Sequence, residues 1–263
     1  MTEKLHVVSE FYHNIQFPGH YTQDEVLEKS NDFFLSNYLK LQYLPFKGNL
    51  LEAGCGTGYT THVISNLRRD IKINGVDFSE GSLEFAKKFS NDHNYQNIKF
   101  DHMDLKKIEL AENQFDMLIC SGVLHHIENP KPIFHNLCKL VKKNGTIIIG
   151  LYHPWGRTSV HIRQQIFKIT KGRFRWIDPR IRNEHWTEQR KNTWYKDQYE
   201  HPYEKDYSHK TLLKWFKNES VHLVGSIPDY TGLNQGSDFL HNFHMLTRYG
   251  SQGGLYIFVG KKS

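Results

Sequence analysis

The chain has 263 residues, of which 24% are charged and 14% aromatic, with 19 Gly and 8 Pro, so disordered, low-complexity and collagen-like classes are excluded. The length suits one large domain or two small ones. The net charge of +6 is concentrated: residues 153–207 hold 12 Lys/Arg against 7 Asp/Glu, while the rest of the chain holds 22 against 21.

In chain order, residues 1–48 read as an N-terminal helical segment. Its helix is expected over 24–44, with Phe33, Phe34, Tyr38, Leu41 and Leu44 on one apolar face. From Asn49 to Tyr152, short β-branched runs alternate with helical patterns. Strands are expected at Asn49–Ala53, Ile71–Val76, Ile98–Asp101, Phe115–Ser121 and Thr146–Leu151. Runs such as Met117-Leu118-Ile119-Cys120 suit strands covered on both sheet faces. Ser79 is positioned to cap a helix presenting Leu83, Ala86 and Phe89. Asn129 is positioned to cap another, with Pro130 at its first position, Lys142 and Lys143 at its end and Gly145 beyond. Residues 153–207 form an insertion carrying four of the five tryptophans (Trp155, Trp176, Trp186, Trp194). This segment reads either as a binding element for an anionic or aromatic partner, or as a solvated insertion with its Trp residues as a small core. In 208–263, Ser208 caps a short helix, and Val221–Ile227 and Leu255–Val259 supply two last strands around a polar stretch, 228–254.

The most informative stretch is Leu50-Leu51-Glu52-Ala53-Gly54-Cys55-Gly56-Thr57-Gly58, where a buried strand turns into a helix through glycines that permit sharp turning and close backbone approach. The dinucleotide fingerprint requires Gly or Ala at position 59, and Tyr59 stands there. An acid follows at the end of strand two (Asp77, then Phe78), where a carboxylate accepts hydrogen bonds from ribose hydroxyls. Met103-Asp104-Leu105 ends strand three, and Ser121-Gly122-Val123-Leu124-His125-His126 ends strand four.

In order and spacing these motifs, over residues 49–152, resemble the class I S-adenosylmethionine-dependent methyltransferases. The resemblance implies an α/β fold: a Rossmann-like, mainly parallel seven-stranded sheet with helices on both faces, its last strand antiparallel, preceded by the helical segment and interrupted by a lid-like insertion. It implies S-adenosyl-L-methionine as cofactor. Gly54, Gly56 and Gly58 would line its methionine end, Asp77 would hold the ribose, Phe78 would flank the adenine, and Asp104 would accept from the adenine amino group. Glu52, Cys55, Met103, Leu105 and Ser121 complete the candidate cofactor-binding set. The insertion's wording, Arg173-Phe174-Arg175-Trp176 and Asp197-Gln198-Tyr199-Glu200-His201-Pro202, is similar to that of a bacterial subgroup of the family.

Methyl transfer requires a nucleophile aligned with the sulfonium methyl and protected from water. A hydroxyl or ammonium nucleophile also needs a base, for which His126 and then His153 are the candidates. The favoured acceptor is a small molecule, anionic because of the arginine series Arg173, Arg175, Arg180 and Arg182, with Asp197, Tyr199, His201 and Glu204 available to orient it. Two other readings stand beside it. An RNA substrate would suit the basic, Trp-rich insertion, but strand four lacks the Asn/Asp-Pro-Pro-Tyr/Phe motif of nucleobase amino methylation. A non-catalytic, cofactor-binding regulatory module would share the same motifs. No metal is expected, because His125-His126 and His241/His244 lack clustered acids or cysteines. The cysteines Cys55, Cys120 and Cys138 form no CxxC pair, the N-terminus lacks a signal-peptide pattern, and no apolar run approaches the ~18 residues of a membrane span. A cytoplasmic protein without a membrane partner is expected.

Overall fold

A computed structural model describes residues 11, 15–31, 47–184, 186–230, 242–249 and 253–263. Seven strands, β1 (Gly48–Ala53), β2 (Ile71–Asp77), β3 (Ile98–His102), β4 (Phe115–Ser121), β5 (Val141–Tyr152), β6 (Val221–Ile227) and β7 (Leu255–Lys262), form one sheet in the order β3-β2-β1-β4-β5-β7-β6. β1 to β5 run parallel, and β7 is antiparallel to both β5 and β6. The strand order reverses between β1 and β4, and in open sheets of this kind ligands bind outside the carboxyl ends at that point.

Side chains alternate along each strand, so the sheet feeds two cores. On one face Leu51, Leu118, Ile147, Ile149 and Phe258 pack with Phe134 and Leu137 of α4 (Pro130–Leu140) and Trp215 and Phe216 of α7 (His209–Asn218). On the other, Leu50, Ile73, Met117, Ile119 and Ile148 pack with Ile64 of α2 (Tyr59–Leu67). α3 (Glu80–Asp92) starts at Ser79, whose side chain accepts from the Ser82 N–H, and buries Leu83, Ala86 and Phe89. Ser208 caps α7 in the same way. The expected layered α/β architecture is therefore present, with helices on both faces.

Two expectations at strand five are corrected. Asn129 makes no side-chain capping bond, and α4 stops at Leu140. Val141 already pairs with Phe115 in the sheet, so Lys142, Lys143 and Gly145 belong to β5. The local pattern looked like a helix end because Asn144 takes a left-handed φ of 63° at an irregularity between the pairs Phe115–Val141 and Met117–Thr146. The extra residues form a bulge, which local propensity does not separate from a helix C-terminus. In the N-terminal segment, α1 covers Gln23–Ser30 with a full capping box from Thr22 and Glu25. The remainder of the helix expected to residue 44 falls mostly outside the described residues.

The insertion opens with α5 (Pro154–Ile169), passes through an irregular segment, and returns as α6 (Glu188–Tyr195), which runs on into a wide helical turn at Lys196–Glu200. It has a core of its own, Val160, Phe167, Tyr195 and Tyr199 with Ile166, Ile177 and Ile181 around them. The Trp residues are not that core: Trp155 and Trp176 are exposed, and Trp186 and Trp194 pack edge to face with each other. No helix among the described residues is long and apolar enough to cross a membrane.

Candidate active site

The glycine loop between β1 and α2 is held by backbone geometry. Gly54, Gly56 and Gly58 all take left-handed φ values, 80°, 53° and 79°, which side-chain-bearing residues rarely adopt. A Cβ at Gly56 would strike the carbonyl oxygen of Phe17, and one at Gly54 would strike Val123. The space the glycines leave is thus used by the protein. The segment preceding α1 lies on the loop: Thr57 donates from its N–H to Phe17 at 3.0 Å and from its hydroxyl to Gly19 at 3.1 Å. Tyr21 in turn donates to the Thr57 carbonyl at 2.7 Å. Sequence reasoning missed this cover over residues 15–21, since Phe17, Gly19 and Tyr21 fall in no recognisable motif.

Asp77 joins the loop to the end of β2. Its two carboxylate oxygens accept from the Gly56 N–H at 2.8 Å and the Ser79 N–H at 2.9 Å. Each oxygen has two lone pairs, so the carboxylate keeps acceptor capacity for hydroxyl donors after these bonds are counted. Burial raises the Asp77 pKa, and the N–H groups of Ser79, Gly56 and Phe78 oppose that rise. Glu52, on the neighbouring strand β1 opposite Gly75, accepts from the Thr61 hydroxyl. Burial pushes its pKa up to about 8, partly countered by Thr61, so Glu52 holds a proton at neutral pH. Cys55 is buried, and burial drives its thiol pKa well up, so it stays uncharged.

The neighbouring strand ends complete this edge. Met103 donates from its N–H to the Asp77 backbone carbonyl at 2.8 Å. Asp104 is exposed and caps the turn Leu105–Lys107 through the Lys106 N–H, with Leu105 buried beneath it. Phe78 is half-buried, its carbonyl bonded to His102 Nε2 at 2.8 Å. Ser121 ends β4 opposite Gly150 of β5, and at Gly122 beyond it a Cβ would meet nothing within 4 Å. The structure therefore gathers Glu52, Gly54, Cys55, Gly56, Gly58, Asp77, Phe78, Met103, Asp104, Leu105 and Ser121 along the carboxyl ends of four adjacent strands. The left-handed glycines, the remaining acceptor capacity of Asp77 and the open space at Gly122 fit a nucleoside-bearing cofactor.

Beyond β4 and β5 the edge is built from side chains. His126 lies in the turn Leu124–His126, buried, with Nδ1 3.2 Å from the Tyr203 carbonyl. A carbonyl only accepts, so Nδ1 carries the proton and the lone pair is on Nε2. His126 stacks on His201 at 3.8 Å, and His125 stacks on Tyr152 at 4.0 Å. Burial, with His125 and His201 adding to it, holds the His126 pKa well below the usual imidazole range. His201 is lowered to about 4, chiefly by burial. His153, in contrast, begins α5 and packs against His209 and Tyr256, so the two candidate bases sit in different ring clusters.

The group that ties the insertion down is Arg157, 1% exposed. Its guanidinium lies 4.0 Å over the Tyr152 ring and donates to both Glu204 oxygens at 2.8 and 2.7 Å. It also reaches Gln198 Oε1 and the Gly253 carbonyl, while Gln198 donates to the Tyr152 hydroxyl at 2.8 Å. Burial opposes the charge on Arg157, but Tyr152 and Glu204 more than offset it and its pKa is raised. Burial lifts the Glu204 pKa to about 7 against the pull of Arg157. Sequence reasoning singled out Glu204 and missed Arg157, which lies on a helix with no motif around it. It also placed no histidine among acids, whereas the fold brings His161 to within 4.0 Å of Glu204 and 3.6 Å of Asp206. Residue 241 lies outside the described residues, so the His241/His244 pair has no structural description.

The arginine series is scattered rather than convergent. Arg173 and Arg182 are exposed, and Arg180 lies 5.1 Å over the Trp194 ring. Arg175 lines a cavity of about 710 Å³ between α5 and α6, with Lys168, Lys171, Lys196, Tyr195, Glu200 and His201 among its walls.

Residues 47–216 match the pattern of a family described as a methyltransferase domain. The chain belongs to the class I S-adenosylmethionine-dependent methyltransferases. The methyltransferase chain is 27% identical to an uncharacterized protein of Synechococcus over 67% of its own length and 48% of that protein's. It is 26% identical to a ubiquinone biosynthesis O-methyltransferase of Neisseria meningitidis over 53% of its length and 62% of the relative's. It thus spans about half of the first of these relatives and about three-fifths of the second. Among solved structures, geranyl diphosphate C-methyltransferase of Streptomyces coelicolor shares the fold with a TM-score of 0.59 at 10% identity, covering 100% of this chain and 99% of that one.

Proposed function

We propose that this methyltransferase acts on a small anionic acceptor held between the carboxyl ends of β4 and β5 and the insertion 153–207, which serves as its lid. The observation that carries the reading is the cavity in the insertion: three lysines and Arg175 line it against one acid, Glu200, and His201 forms a wall that stacks on His126 at the end of β4. A guanidinium and several ammonium groups around one space suit a carboxylate or phosphate. The ubiquinone biosynthesis enzyme among the relatives is consistent with a small-molecule substrate.

S-adenosylmethionine, when bound, supplies a methyl group already electrophilic on its sulfonium. What remains for the protein is to hold, orient and dehydrate. In this reading Gly54, Gly56 and Gly58, with Glu52 and Cys55, shape the methionine end. Asp77 takes the ribose hydroxyls, Phe78, Met103 and Leu105 flank the adenine, Asp104 accepts from its amino group, and Ser121 borders the crevice. A protonated Glu52 would add no charge at the methionine end it helps shape. His126 is the base: it is neutral at physiological pH, and its Nε2 lone pair accepts a proton from the nucleophile. Its weak basicity suffices for a hydroxyl proton that becomes strongly acidic as the oxygen takes the methyl group, with a separate carboxylate or phosphate of the acceptor keeping its charge. His153 has a structural place at the start of α5 and is the second choice.

The test is incubation of the full chain with S-adenosylmethionine labelled on its methyl group, offered cell metabolites in one arm and total RNA in the other. Label should enter a low-molecular-weight acidic product, and Arg175→Gln should slow that incorporation by roughly tenfold or more, as expected for a lost hydrogen bond to a charged group. Label in RNA, or an uncharged product, contradicts the proposal.

A further inference from the structure

From Pro154 to Ile177 the chain contains no acidic residue. Two of the six cations in this stretch are engaged inside the fold: Arg157 on Glu204, and Arg163 on the Tyr199 hydroxyl at 2.9 Å. The other four, Lys168, Lys171, Arg173 and Arg175, are exposed at the tip of the insertion. Among the described residues none of these four has an ion-pair partner; Arg175 makes a hydrogen bond to Asn192 and lies over Tyr195. Large apolar side chains stand among them. Ile169 is 81% exposed and Trp176 60%, and Phe174, also exposed, packs edge to face on Trp176 with ring centroids 6.4 Å apart. Along α5, Trp155 and Ile162 are exposed as well. With Ile169 they recur every seventh residue, a stripe of about 21 Å on one side of the helix.

We propose that this face is a peripheral membrane-docking surface, in which Ile169, Phe174 and Trp176 enter the headgroup region of an anionic bilayer while Lys168, Lys171 and Arg173 meet its phosphates. Exposed apolar groups of this size cost free energy in water, and cations interleaved with aromatic and aliphatic side chains match the two layers of a lipid surface. Charge and shape disfavour the other occupants. A second copy seated on the same face would set unpaired cations against each other. A nucleic acid would use the cations and aromatic rings but would leave Ile162 and Ile169 with nothing apolar to meet. Surface attachment requires no spanning helix; Lys168 and Lys171 also wall the cavity of the proposed acceptor, so the test reads vesicle partitioning rather than turnover.

The experiment uses the full chain with vesicles of phosphatidylcholine alone and of phosphatidylcholine with about 30% phosphatidylglycerol. Sedimentation should show partitioning at least about tenfold stronger onto the anionic vesicles, weakening as salt rises. The triple variant I169S/F174S/W176S should lose that partitioning by about tenfold or more while its affinity for S-adenosylhomocysteine stays that of the wild type. As a measurement that needs no disruptive variant, brominated acyl chains in the anionic vesicles should quench wild-type indole emission, and less of it in Trp176→Phe. Equal partitioning onto both vesicles, a triple variant that partitions like wild type, absence of quenching, or retention on RNA without vesicle binding would each overturn the proposal.

Discussion

The two halves of the active edge are built from different materials. Along β1 to β4 the working groups are main chain: left-handed glycines, N–H donors and one buried carboxylate that binds two of them. Beyond β4 and β5 they are side chains from positions far apart in sequence, with Arg157 bridging Tyr152, Gln198 and Glu204. A backbone-built edge depends on local turn geometry and tolerates little change at single positions. A side-chain-built edge depends on a buried charge and its partners all being present, and so ties the insertion to the sheet in one cooperative unit.

Breaking the side-chain half should have the largest effect. Arg157→Ala leaves Glu204 buried without its cation, and urea unfolding should show a loss of about 3–5 kcal/mol, the range for orphaning one member of a buried ion pair. Replacing both partners, R157M/E204Q, should recover part of that loss; a double variant as unstable as the single one would show that Arg157 acts through its contacts to Gln198 and Gly253 instead.

The backbone half should respond to smaller changes. Gly56→Ala must relieve the clash with the Phe17 carbonyl and carry a left-handed φ, which together should cost about 1–3 kcal/mol, read as a lower urea midpoint. Glu52 sharpens the comparison through pH. Its folded pKa of about 8 lies above its ordinary 4.5, so the folded state holds the extra proton between those values. Stability from this group is full below pH 4.5 and declines as pH rises through about 8. Glu52→Gln should flatten that decline, and an unchanged slope in pH-dependent unfolding would show that the carboxyl is already ionised in the fold.

Legibility from sequence follows the same division. The sheet was readable because buried strands are continuous apolar runs, and the bounds Phe115–Ser121 and Val221–Ile227 coincide with the observed strands. The glycine loop and Asp77 were readable because their spacing is set by one strand–turn–helix unit. At Val141–Gly145 local pattern failed, since a bulged strand start and a helix end use the same residues. Beyond β5, Arg157 and Glu204 meet only after the insertion folds back, and no local signal marks such a pair. Of the arginines that sequence made conspicuous, Arg173, Arg175 and Arg182 are exposed and Arg180 lies over Trp194, whereas Arg157, which ties the insertion to Tyr152 and Glu204, has apolar and neutral neighbours in sequence.

The central claim, that the carboxyl edge of β1 to β4 binds S-adenosylmethionine through Asp77, is tested most directly by calorimetry with S-adenosylhomocysteine on the wild type and Asp77→Ala. The wild type should bind it in preference to NADH. The variant should lose at least about 1.5 kcal/mol, a little over tenfold in affinity, for two charge-assisted hydrogen bonds to the ribose. Unchanged affinity in Asp77→Ala would remove Asp77 from the cofactor site, and preferential binding of NADH would contradict the account as a whole.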